Sequence, residues 1–149
     1  MIALSRQRPL SITLFALAFF GAALLAFLEA MVSIPDQQLQ LGQLLPALDW
    51  SRDAVIVWQS AWLSIAFIPI AMVWLSAVRF ARWMVTVMAM PKLLGLLVVL
   101  AKGWNVIGIT SPAWLLSQLL ALAAVTLLFT PASNRWFADK GGVDTAVFD

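Results

Sequence analysis

From Ala54 to Val78 the chain carries no charged side chain, and Asp53 and Arg79 close this run at either end. A helix of about 20 mostly apolar residues crosses a hydrocarbon core of about 30 Å, so the run is long enough to span a membrane. Three others share its character: residues 10–33, with Glu29 as the only charge; residues 84–101, with Lys92; and residues 113–130, with none. Lipid offers no hydrogen-bond partner to an unpaired backbone group, which restricts such segments to helices or closed barrels. A barrel strand alternates apolar and polar residues, and these runs do not. Composition agrees, since 63% of the 149 residues are hydrophobic and 11% charged, against about 45–50% and about 25% in a soluble domain. The expected fold is an all-α membrane protein. It is a single integral membrane domain over residues 1–149: an antiparallel bundle of four transmembrane helices, a short amphipathic segment in the first outer loop, and a polar tail over 131–149.

Arg6 and Arg8 ahead of the first run raise the question of a cleaved signal peptide. Its apolar stretch is longer than the usual roughly 7–15 residues and no small-x-small site follows, so a retained helix is expected. Orientation is read from Lys and Arg in the short flanks. Arg6, Arg8, Arg79, Arg82, Arg135 and Lys140 fall on one side, and Arg52 and Lys102 on the other with Asp36, Asp49 and Asp53. This predicts cytoplasmic termini and an outward loop over 34–53, with a bacterial inner membrane as the expected location. Indoles prefer the headgroup level. Trp50, Trp104 and Trp114 fall near the outer boundary, Trp74, Trp83 and Trp136 near the inner one, and Trp58 and Trp62 deeper, one turn apart.

In the outer loop, Leu41, Leu44, Leu45 and Leu48 follow the i, i+3, i+4, i+7 spacing of an amphipathic helix, with Pro46 interrupting it. A short segment lying in the outer leaflet is expected; the alternative is a docking surface for a partner. The link at 79–82 is short enough to do no more than turn the chain, and Pro112 is placed to open the fourth helix. The tail after Pro131 is expected to begin as an interfacial stub around Trp136 and Phe137. Helices in lipid approach closely through small residues four apart, and Ala18, Ala22, Ala26 and Ala30 form such a stripe. Pro69 and Pro91 each free a carbonyl one turn earlier, those of Ile65 and Val87.

The candidate chemistry is confined to two ionisable residues inside the predicted hydrocarbon. A charge there costs on the order of 2.5–3.5 kcal/mol on insertion scales and finds a partner or an aqueous cavity. Glu29, the sole Glu, and Lys92 differ in depth by about 6 Å at 1.5 Å per residue, a gap that a lysine stem spans. The expectation is that they face one another, either as an ion pair fixing which helices adjoin or as a proton or cation site. Gln59, Ser60, Ser64, Thr86, Ser117 and Gln118 are the available polar lining. A Ser–Lys nucleophile and base pair has no support beyond shared membership of the bundle. The chain contains no Cys, His or Tyr, which removes thiolate and imidazole metal ligation. No metal, cofactor or nucleic-acid partner is expected, the nine basic residues being spread over both faces. The leading expectation is a non-enzymatic structural or accessory protein that associates with itself or with other membrane-protein subunits in the lipid bilayer. The alternative is a small ion- or proton-coupled carrier or channel using Glu29 and Lys92.

Overall fold

The computed structural model describes residues 9–76, 79–103 and 111–138. Six helices and no strand occur among them: α1 (Leu10–Val32), α2 (Ile34–Leu44), α3 (Arg52–Ser76), α4 (Arg79–Lys102), α5 (Pro112–Leu128) and α6 (Pro131–Ala138). Three of these, α1, α3 and α4, are long and apolar enough to cross a membrane. The fourth run differs from its expected form. At 17 residues, α5 is about 26 Å long, and it reaches spanning length only together with α6, from which it is bent by 55°. The 79–82 segment, expected as a link, is instead the first turn of α4. Arg6, Arg8, Trp104 and Lys140 lie outside the described residues.

Local chemistry sets the helix ends. Ser33 interrupts the chain between α1 and α2, its N–H and its Oγ both donating to Glu29 O, at 3.0 and 2.8 Å. Pro35 then occupies the first turn of α2, where a missing N–H costs nothing. Pro46 disfavours helical geometry in the residue before it, and α2 accordingly ends with Leu45 at φ −133°. Of the predicted leucine stripe, Leu41 alone is buried, and Leu44, Leu45 and Leu48 face outward. Ser111 caps α5 by accepting from Trp114 N at 3.3 Å. Gly103 closes α4 at φ +82°, a left-handed conformation that glycine adopts without steric penalty.

The four long helices pack in cyclic order α1, α3, α4, α5, with the α1–α5 contact the most extensive and the α3–α4 contact slight. Side-chain contacts fix the directions. Ser11 of α1 meets Ser133 beyond the end of α5, while Ala22 meets Ser117 near its start, so α1 and α5 are antiparallel. Likewise Arg82 meets Asn134 and Lys92 meets Ser117, which makes α4 antiparallel to α5. At Gly21 of α1 a Cβ would meet the Leu120 side chain of α5 at 3.5 Å, an ordinary van der Waals contact, so this approach does not depend on glycine.

The apolar core is lopsided. Ile12, Phe15 and Phe19 of α1, Ala66 and Val73 of α3, Ala81 and Val85 of α4, and Ala124 and Leu128 of α5 form one buried cluster with Trp136 and Phe137 of α6. All of it lies toward the end that α6 closes. The first eight residues of the tail, expected as an interfacial stub, form α6, and its Trp136 and Phe137 are buried against the other helices. The reason is local. Thr130 O accepts from Asn134 N at 2.9 Å to start α6, and Thr130 Oγ1 donates to Ser133 Oγ at 3.0 Å. The turn directs the indole and phenyl rings inward. Arg82 stacks over the Phe129 and Phe137 rings, at 4.6 and 5.0 Å.

Candidate functional site

Lys92 lies near mid-height on α4, one residue after Pro91. Small side chains on the facing helices leave backbone within its reach. The stem crosses the interior to α1, and Nζ donates to Ala22 O at 3.0 Å and to Ser117 Oγ of α5 at 2.8 Å. The Ser117 hydroxyl in turn donates to Ala22 O at 3.0 Å, closing a triangle that ties three helices together. Gln118 adds a second tie between α5 and α4: with its amide oriented to satisfy both neighbours, Nε2 donates to Lys92 O at 2.9 Å and Oε1 accepts from Trp114 Nε1 at 3.3 Å. Ser117 and Gln118 are both buried.

This arrangement corrects the expected ion pair. Among the described residues, Lys92 and Glu29 make none; Lys92 is held by neutral oxygens, and Glu29 lies seven residues beyond Ala22 on α1, about 10 Å along the axis. Depth along a helix does not specify azimuth, and depth was the only basis for the pairing. A signal for the true partner was present in the alanine stripe, because a small side chain leaves its own and neighbouring carbonyls open to approach.

The remaining polar candidates divide. Gln59 donates to Gln37 Oε1 of α2 at 3.1 Å, joining α2 to α3. Ser64 Oγ donates to Ser60 O and Thr86 Oγ1 to Arg82 O, at 2.8 and 2.9 Å, each within its own helix. Ser60 makes no side-chain bond among the described residues. Thus Ser117 and Gln118 join Lys92, Gln59 bonds to α2 but faces the same crevice as Lys92, and Ser60, Ser64 and Thr86 do not take part. On the α1 stripe, Ala22 and Ala30 are buried and Ala18 packs against the core, but Ala26 lines a void.

That void is a partly open crevice of about 290 Å³. Its walls are apolar apart from Lys92 and Gln59, with Phe19, Phe27, Trp62 and Leu63 supplying the large surfaces. Six alanines (22, 23, 26, 66, 89 and 121) leave the space. It lies where α1, α3 and α4 converge, above the dense half of the core. No group of three or more His, Cys, Asp or Glu that could hold a metal occurs among the described residues. The chemistry present is a hydrogen-bond-donating cation at the wall of an apolar chamber.

Neither a family model nor a curated protein nor a solved structure matches this chain.

Proposed function

We propose that this chain is a non-enzymatic integral protein of a bacterial inner membrane, crossing it four times. In this reading it serves as a structural or accessory subunit that associates with itself or with a larger membrane complex. The reading counts the bent pair α5 and α6 as the fourth crossing. It puts the α6 end in the cytoplasm, because Arg79, Arg82 and Arg135 gather there while Arg52 and Lys102 lie at the other end of α3 and α4.

The observation that carries the proposal is how the interior polar groups are used. Lys92, Ser117 and Gln118 all bond across helices, which makes them joints. The outward faces, by contrast, are apolar over their length: Phe80, Trp83, Val87, Met90, Leu94 and Leu97 follow one another at three- and four-residue steps along α4, all exposed. Such a ridge is covered by lipid or by another helix, and α2 adds exposed leucines at the outer surface.

Purification in a mild detergent with mass spectrometry of the intact assembly tests the proposal. The expected result is a stoichiometric second polypeptide or a defined homo-oligomer. A monomer that drives pH-dependent ion flux in proteoliposomes, lost on Glu29→Gln with the fold intact, would overturn it in favour of the carrier.

A further inference from the structure

The Lys92 ammonium has three N–H donors and uses two, on Ala22 O and Ser117 Oγ. Both acceptors are uncharged. Among the described residues no carboxylate pairs with it, although an unneutralised charge in an apolar interior is costly. The same side chain forms part of the crevice wall. One donor and one positive charge are therefore left unmatched beside a space bounded by Phe19, Phe27, Trp62 and Leu63.

We infer that this crevice binds a long-chain carboxylate. Its head takes the third N–H of Lys92, and its chain lies against Phe27, Trp62 and Leu63. Charge complementarity selects an anion, and the apolar walls select a hydrocarbon body. A phosphate monoester carries about −1.5 to −2 charges and three acceptor oxygens, more than a single spare donor satisfies, whereas a carboxylate is matched by one cation. The volume of about 290 Å³ is close to the lower end of the roughly 300–1,000 Å³ of small-molecule sites. It holds the head and the first part of a chain, and the remainder leaves through the open side. The inference does not depend on a partner subunit, and loss of either reading leaves the other in place.

The test uses the purified chain in detergent and a stearic acid carrying bromine on its chain, which quenches indole fluorescence on contact. The comparison probes are its methyl ester and a brominated alkyl phosphate of equal length. The acid is expected to quench saturably, at least tenfold more tightly than the ester, and Trp62→Phe removes the saturable component. Lys92→Gln abolishes the preference for acid over ester. Ala26→Leu fills the crevice and weakens acid and ester alike while leaving Lys92 in place. Should Lys92→Gln fail to fold by circular dichroism, the acid–ester ratio on the unaltered chain reads the charge and Ala26→Leu reads the location. Equal quenching by acid and ester, tighter binding of the phosphate, or a saturable component untouched by Trp62→Phe would each overturn the inference.

Discussion

Ser117 accepts from an ammonium and donates to a carbonyl with one hydroxyl. Single interhelical hydrogen bonds in membrane proteins average about 0.6 kcal/mol and reach about 1.7 kcal/mol, and bonds from a charged donor are the stronger kind. Ser117→Ala removes two, so a loss of about 1–2 kcal/mol is expected in a detergent unfolding titration. Ser64→Ala, whose hydroxyl serves only its own helix, is expected to stay within about 0.5 kcal/mol. A charge exchange separates the observed geometry from the pairing that depth alone predicts. With Lys92 bonded to Ala22 O and Glu29 about two turns away, Glu29→Lys combined with Lys92→Glu should restore nothing lost in the single variants. The coupling in the double-mutant cycle should stay below about 0.5 kcal/mol. The sequence made Lys92, Ser117 and Gln118 legible because each is a polar atom at hydrocarbon depth. It hid the acceptor, because every residue carries the same carbonyl and only packing decides which one is reached.

Among the elements, α6 departs furthest from expectation. Trp136 and Phe137, expected in an interfacial stub, are buried, because a 55° bend after α5 turns a short amphipathic helix under its neighbours. Hydropathy windows miss this, since α6 is too short and too polar to register as a span. Its docking is shared by Arg79, which donates to Phe137 O at 3.0 Å and Ala138 O at 3.3 Å, and Arg82, whose Nη2 donates to Asn134 Oδ1 at 2.8 Å and whose guanidinium covers two rings. Arg82→Ala is expected to speed hydrogen exchange at the Trp136 and Phe137 amides by about tenfold, or ~1.4 kcal/mol of local stability, with exchange in mid-α1 unchanged. Arg82→Lys should recover little, because an ammonium lacks the planar stacking face. Glycines give a second contrast between elements. Gly103→Ala places a Cβ at φ +82° and is expected to cost about 1 kcal/mol. Gly21→Ala meets ordinary van der Waals spacing to Leu120 and should be close to neutral.

For the whole molecule, the runs of apolar sequence anticipated the helix positions because the hydrogen-bond demand of a lipid-embedded backbone leaves little choice of structure. The lopsided interior was not legible. Alanine at 22, 26, 66 and 89 reads equally well as close packing or as open space until the facing residues are known. The proposed topology, four crossings with the α6 end inside, makes a direct labelling prediction. The chain has no Cys, so single cysteines at exposed Ser51 and Asn134 report on opposite faces of intact cells. A membrane-impermeant maleimide should modify Ser51→Cys and leave Asn134→Cys unlabelled until the cells are opened.

The helix that α1 grips most extensively is α5, and 80 positions separate Val32 from Pro112. At ribosomal rates of about 5–20 residues per second, α1 waits roughly 4–16 s for its mate to be synthesised. During that interval α3, synthesised earlier, can cover one side of α1, but the face that α5 will occupy is left to acyl chains or to whatever escorts nascent helices out of the insertion channel. Assembly of this protein is thus timed by its last long helix, and a ribosome stalled before Ser117 would leave a lysine already committed to the bilayer without its hydroxyl anchor.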